Sequence, residues 1–319
     1  MIAPPDRGHL PVMRDEVIAA LQPHVGARFI DATFGGGGHT SLLLELSSPD
    51  GRVLALDADP EARLRAEVIQ ASLETSDRLV LVQANFAEIS SVAKQHRFTA
   101  VDGILFDLGL SSFQLDDPER GFAFRSDGPL DMRMNPDTHP SAAELIATID
   151  EQSLTQLLRE FGEEPRARQI SRAIVQEREK EPIVSTAQFA ALVEKAVGGR
   201  RGAKTHPATR TFQAVRIAVN QELDSIERGV RSAIELLAPG GRLVTIAFHS
   251  LEDRLVKRII QEESATCVCP PDMPICVCGA TPRLRRVGGS RKPSSAEIAH
   301  NPRARSAIMR VAERLPDAS

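Results

Sequence analysis

Asp31-Ala32-Thr33-Phe34-Gly35-Gly36-Gly37-Gly38-His39-Thr40 stands between a short β-type run, Arg28-Phe29-Ile30, and an apolar helical run, Ser41-Leu42-Leu43-Leu44-Glu45-Leu46. A strand, a glycine turn and a helix start in that order form a nucleotide-binding corner. Glycine permits a tight turn and lets a ligand approach the main chain without meeting a Cβ, and the exposed N–H groups at the helix start favour a polar or anionic ligand. A flexible surface loop is also glycine-rich, so the run needs support from elsewhere. Arg52-Val53-Leu54-Ala55-Leu56-Asp57 supplies it: a buried-strand pattern ending in a carboxylate. That acid follows the glycines by about 20 residues, the spacing at which a carboxylate reaches ribose hydroxyls. The pair points to an adenosine-type ligand.

Further strands read the same way. Arg78 to Ala84 is a third, with Asn85-Phe86 at its exit, and Val101-Asp102-Gly103-Ile104-Leu105-Phe106-Asp107 is a fourth, again ending in an acid. Strands alternating with helices imply a parallel sheet, whose ligands sit at the strands' carboxyl ends. Asp31, Asp57, Phe86 and Asp107 should therefore share one rim. After Leu108-Gly109-Leu110-Ser111-Ser112 the pattern breaks into a polar, turn-rich stretch and then helical runs from Ser141 to about Val197, read as an inserted helical domain. The sheet domain is expected to resume with one long helix, roughly Ala208 to Leu237. A strand over Arg242–Phe248 follows, then a helix opened by His249-Ser250, and an edge strand over Ser306–Ala312.

Composition narrows the class. A chain of 319 residues with 42% hydrophobic and 26% charged content is an ordinary globular protein with ample core. The start, Met1-Ile2-Ala3-Pro4-Pro5-Asp6-Arg7, carries no apolar signal region, and no apolar run is long enough to span a bilayer, so a cytoplasmic location is expected. The net charge of −4 argues nothing for nucleic acid, but Arg283, Arg285, Arg286, Arg291, Lys292, Arg303, Arg305 and Arg310 face the single acid Glu297 in that stretch. That cluster fits a phosphate-binding edge and equally a solvated tail. All four cysteines fall in two hooks, Cys267-Val268-Cys269 and Cys276-Val277-Cys278. They suit one tetrahedral structural zinc, or else remain reduced thiols in a loop.

The glycine corner and its acid also fit a nicotinamide dehydrogenase. Against that reading, the run does not keep a G-x-G-x-x-G register, and the unusual residues follow the fourth strand directly. An acid ending that strand before a polar loop is where adenosylmethionine-dependent amino-methylating enzymes hold the acceptor amine. A cysteine nucleophile, required for methylating a ring carbon, does not occur before Cys267.

Six separated blocks then resemble one family. They are Asp31 to His39, Phe106 to Ser112, Gln114-Leu115-Asp116-Asp117 to Gly121-Phe122-Ala123-Phe124, Gly128 to Met134, His206 to Arg216, and Phe248 to Arg254. Together they resemble the bacterial 16S ribosomal RNA cytosine-N4 methyltransferases over nearly the whole chain. The resemblance implies an α/β, Rossmann-like (class I) methyltransferase fold with a mostly parallel doubly wound sheet and an inserted small helical domain. The expected division is 1–113 and 207–319 for the methyltransferase domain and 114–206 for the insertion. It further implies S-adenosyl-L-methionine as cofactor and 16S ribosomal RNA or the small ribosomal subunit as partner, with methylation of a cytosine N4 amine in the decoding region. Oligomeric state stays open, a homodimer included.

By the same resemblance Gly37, Gly38, His39, Asp57, Phe86, Asp107 and Gln114 contact the cofactor. Methyl transfer to an amine is an in-line displacement dominated by positioning. Cytosine's amino lone pair is delocalised, so acceptors on its N–H bonds must turn it toward the methyl. Many DNA amino-methyltransferases use an Asn/Asp/Ser-Pro-Pro-aromatic loop; here it reads Asp107-Leu108-Gly109-Leu110. Asp107 is the favoured acceptor, with Ser111 and Ser112 as helpers, or as helix caps. The target base must be unstacked, and without Trp or Tyr the stacking candidates are Phe122, Phe124, His249 and Arg216, with Arg200–His206 as a second basic segment. An assembly factor with a vestigial cofactor site is the other class of function compatible with the sequence.

Overall fold

Alternation within the strands decides the architecture. Phe29, Val53, Ala55, Leu105, Val244 and Ile246 pack into one apolar cluster, while their neighbours Ile30, Leu54, Leu56, Ile104, Phe106 and Leu243 pack into another. A strand points successive side chains to opposite faces, so a sheet apolar on both must be covered on both. The structure is a computed structural model describing residues 11–73, 77–137, 140–200, 202, 205–267, 269 and 278–317.

Two compact units divide the chain: Met1–Gly109 with Leu223–Ser319, and Leu110–Glu222. In the first, α1 (Arg14–Leu21), β1 (Arg28–Asp31), α2 (Gly38–Leu46), β2 (Arg52–Asp57), α3 (Ala62–Leu73), β3 (Leu79–Gln83), α4 (Ile89–Gln95) and β4 (Val101–Asp107) follow in order. The second holds α5 (Ser112–Asp116), α6 (Ala142–Thr148), α7 (Glu151–Gly162), α8 (Ala167–Arg178), α9 (Thr186–Ala196) and α10 (Thr209–Asn220). The first unit then resumes with α11 (Glu222–Leu236), β5 (Leu237–Ala247), α12 (Ser250–Glu263), β6 (Leu284–Arg286), α13 (Ser295–His300) and β7 (Ile308–Arg314).

The sheet runs β3-β2-β1-β4-β5-β7-β6, parallel from β3 to β5, with β7 and β6 each antiparallel to the strand before it in that order. Chain direction reverses its progress across the sheet between β1 and β4, the switch point where open α/β sheets bind ligands. Register puts Asp31 opposite Ala55 and Leu105, and Asp107 opposite Ile246.

Three sequence readings need correction. The long helix expected over Ala208–Leu237 is two, α10 and α11, broken at Gln221 with φ of 49°. No Gly or Pro marks that break; the cause is Asn220, whose amide accepts from Met134 N–H and donates to the Met132 carbonyl. The units accordingly divide at Glu222/Leu223 rather than 206/207, because α10 packs on α7, where Gly162 lets the Arg210 carbonyl close in. Finally, β7 is no edge strand: β6 pairs outside it, so Arg285 and Arg286 belong to a sheet edge rather than a loose tail.

Gly37 and Gly38 play different parts. Gly37 has φ of 75°, and a Cβ there would overlap the end of Ile69 and come 2.7 Å from the Phe34 ring, so packing demands its bareness as much as any ligand does. Gly38 starts α2 under Pro11, 3.2 Å from a built Cβ, with an ordinary helical backbone. Gly37→Ala is expected to lower unfolding free energy by about 2–4 kcal/mol in denaturant titration, and Gly38→Ala by less than about 1 kcal/mol. Equal losses at the two positions would contradict this assignment.

Candidate active site

The rim is built from strand ends. β1 delivers Asp31, buried, whose carboxylate accepts the Thr40 hydroxyl at 2.7 Å and the Thr33 N–H at 3.2 Å. Burial still raises its pKa to about 6, the hydrogen bonds from Thr40 and Thr33 only partly opposing it. β2 delivers Asp57, which accepts the Gly35 N–H at 2.8 Å on one oxygen and the Asp59 N–H at 2.9 Å on the other. Burial pushes this acid up while those two donors hold it back. Each oxygen keeps a lone pair for a further donor, so Asp57 can pin the glycine turn and still meet hydroxyls. Arg65 completes the clamp from α3, donating its Nε–H to the Gly35 carbonyl at 2.8 Å.

β4 delivers Asp107. Its backbone N–H donates to the Thr33 hydroxyl at 2.7 Å, locking the strand end to the glycine turn. Its Oδ1 is buried and has no hydrogen-bond partner among the described residues, while Oδ2 stands 3.8 Å from His39 Nε2. Burial first, then the charges of Asp31 and Glu252, raise this carboxyl to about 8. His39 gives no counter-charge, because burial holds its imidazole at about 4 and therefore neutral near pH 7, against a smaller upward pull from the Val12 backbone. A run of acids with a neutral histidine is a site arranged for something cationic or rich in N–H donors.

Phe86 follows β3 and is half-buried, its ring edge-on to Phe106 at 5.6 Å. Gly229 of α11 makes room for it: a Cβ there would come 2.9 Å from Phe86 Cδ2. Gly37, Gly38, His39, Asp57, Phe86 and Asp107 thus all belong to the carboxyl-end side of one sheet. Gln114, Ser111 and Ser112 fall in the second unit. There Ser111 Oγ accepts from Gln114 N–H and Gln114 Oε1 accepts from Ser111 N–H, a reciprocal cap on α5 that Ser112 begins.

Sequence reading missed Thr33, Thr40, Arg65 and Glu252. Thr33 carries a signal in retrospect, since a hydroxyl two residues past a strand-end acid can bond back to the neighbouring strand. Glu252 is fully buried, accepting the Phe248 and His249 N–H groups at 2.8 and 3.1 Å as the cap of α12. The stacking candidates are committed elsewhere: His249 caps α12, Phe122 is a core residue of its unit, Phe124 rests on Phe212 and His206, and Arg216 forms a two-bond pair with Glu222. In the second basic segment, Arg200 and His206 both pair with Glu194, and residues 201, 203 and 204 lie outside the described residues.

The eight basic residues expected near a phosphate edge also separate. Arg283 pairs with Glu263 and Glu235, Arg285 with Glu313, and Arg310 with Asp253 through two bonds of 2.7 and 2.8 Å. Arg286, Arg291, Lys292 and Arg305 are exposed and have no ion pair among the described residues. Of the cysteines, Cys267, Cys269 and Cys278 have sulfurs within 4.8 Å of one another; Cys276 lies outside the described residues. Among the described residues no helix is long and apolar enough to cross a membrane.

Residues 6–315 match the model of the MraW methylase family. The chain is 52% identical over 308 residues to "Ribosomal RNA small subunit methyltransferase H" of Thermomicrobium roseum, covering 96% of this chain and 94% of that protein. It is 48% identical over 311 residues to the protein of the same name from Syntrophotalea carbinolica, covering 96% and 98%.

The raised carboxyl of Asp107 has a cost to the ligand-free fold. Its folded pKa of about 8 exceeds the ordinary 3.8, so the native state binds the extra proton, and stability falls as pH rises between those values. Asp107→Asn is expected to remove that part of the decline, stabilising the ligand-free protein by about 1–3 kcal/mol at pH 8 and by little at pH 4. Denaturant titrations across this range check it; an Asn variant no more stable at pH 8 than at pH 4, relative to its parent, would reject it.

Proposed function

Because the chain belongs to the MraW methylase family, we propose that this methyltransferase transfers a methyl group from S-adenosylmethionine to the exocyclic N4 amine of a cytosine in the decoding region of 16S ribosomal RNA. The observation carrying the reading is Asp107: a buried strand-end carboxyl with one oxygen lacking a partner among the described residues, at the switch point of the sheet.

S-adenosylmethionine supplies a methyl on a sulfonium, already a good leaving group. The protein's residues orient and accept. Asp57 would take the ribose hydroxyls on lone pairs left over from Gly35 and Asp59, and Phe86 would offer an apolar ring to the adenine. Gly37, Gly38 and His39 form the floor of the turn. Asp107 Oδ1 accepts an N–H of the target amine, which turns the nitrogen lone pair away from the ring. An amine that receives the methyl, with the sulfonium leaving as the thioether, must shed one proton, and the Asp107 carboxylate would be its acceptor. A cationic neighbour lowers its pKa from about 8, so the carboxyl is ionised when the amine arrives. Ser111 and Gln114, tied to each other on α5, are positioning residues for the segment following Asp107 rather than proton carriers.

Affinity for RNA comes mainly from phosphate contacts. Arg286, Arg291 and Lys292, on the outer strand and the loop that rejoins β7 at Met309, supply charges not already spent on carboxylates. The helical unit contributes to recognition of the RNA around the target base. Mass spectrometry of small-subunit RNA incubated with enzyme and labelled methyl donor is expected to show one methyl on a cytosine N4. Reversing Arg286, Arg291 and Lys292 to Glu should weaken RNA binding at least tenfold while leaving methyl-donor affinity unchanged. Label on a ring carbon or a ribose oxygen would contradict the chemistry, and RNA affinity equal to the parent's would remove the basic edge from it.

A further inference from the structure

Away from the rim, the excursion between α12 and β6 gathers thiols. Its base is closed by the Arg283 N–H donating to the Glu263 carbonyl at 2.8 Å, reinforced by the Arg283 guanidinium on the Glu263 carboxylate at 2.7 Å. Within it, the sulfurs of Cys267, Cys269 and Cys278 lie within 4.8 Å of one another, and Cys267 and Cys278 are 3.9 Å apart. A disulfide requires about 2.05 Å, roughly half that separation. A tetrahedral zinc with bonds of about 2.3 Å holds its sulfurs about 3.8 Å apart. The Cys267–Cys278 pair is thus already at the edge length of such a tetrahedron. The Cys269 N–H also donates to Cys267 Sγ at 3.4 Å, the kind of bond that steadies a thiolate bound to a metal.

We propose that Cys267, Cys269 and Cys278 bind one divalent cation, zinc, through their three sulfurs. The site takes no part in methyl transfer and does not rest on the function proposed above. Its consequence is mechanical. The two cysteines nearest α12 and one nearest β6 would be joined through the metal, fixing the path into the strand that carries Arg285 and Arg286.

The test uses the full reduced chain with cobalt(II) and zinc alone as probes. Cobalt is expected to bind at one equivalent with intense visible bands of a tetrahedral site and a sulfur-to-cobalt charge-transfer band, all bleached by one equivalent of zinc. Cys267→Ser and Cys278→Ser should each weaken zinc binding at least tenfold, and zinc should slow proteolysis between Ser264 and Pro282 in the parent only. Calorimetry with S-adenosylmethionine should give the same affinity for parent and variants, which also shows that they fold. Absence of the charge-transfer band in the reduced parent, or zinc affinity unchanged by both substitutions, would overturn the proposal. So would recovery of Cys267 and Cys278 only as a disulfide that zinc does not prevent.

Discussion

Three strand-end carboxylates packed into one corner of a sheet pose an electrostatic problem that the fold does not solve alone. Parallel pairing of β1 with β2 on one side and β4 on the other obliges Asp31, Asp57 and Asp107 to finish on the same side. Backbone and hydroxyl donors satisfy the first two, and the glycine turn exists in part to present those N–H groups. Asp107 receives no such help at Oδ1 among the described residues, and its neighbours are other acids and an uncharged imidazole. The remaining free energy is available to whatever brings positive charge or N–H donors, which describes both a sulfonium nucleoside and an amine.

This division of labour explains why the turn is so constrained. Gly35 donates to Asp57 and is held by Arg65, Thr33 fastens the turn to Asp107, and Gly37 fits against Phe34 and Ile69. These contacts link the loop to β2, β4 and α3, so the turn is part of the core as well as the edge of a binding site. Rigidity of this kind suits a reaction governed by positioning, where small misplacements are costly. The family match extends from residue 6 to residue 315 and so spans the helical unit and the basic edge as well as the rim.

Much of this was legible in the sequence because it is written in local patterns. A strand period ending in an acid recurs at Asp31, Asp57 and Asp107, with a glycine turn after the first, and parallel pairing follows from the helices between them. What local patterns do not encode depends on contacts between distant segments. The break at Gln221 comes from an asparagine reaching back to Met132 and Met134, which no helix propensity encodes. Strand β6 has three residues and takes its identity from pairing with β7. The stacking candidates Phe124 and Arg216 looked available only because their partners, Phe212 and Glu222, cannot be read from adjacency. The sequence marks Gly37 as a candidate cofactor contact, while its packing against Ile69 is a constraint the sequence does not carry.

With its pKa raised to about 8, the ligand-free Asp107 carboxyl is protonated at pH 7, and a cationic methyl donor is expected to displace that proton. Isothermal titration of S-adenosylmethionine at pH 7, in buffers of different ionisation enthalpy, measures that exchange for the parent and for Asp107→Asn. With a pKa of about 8 the parent should release close to one proton more than the variant, and its affinity should climb with pH until about 8. Identical proton counts in the two proteins, with affinities that change in parallel across that range, would contradict the account.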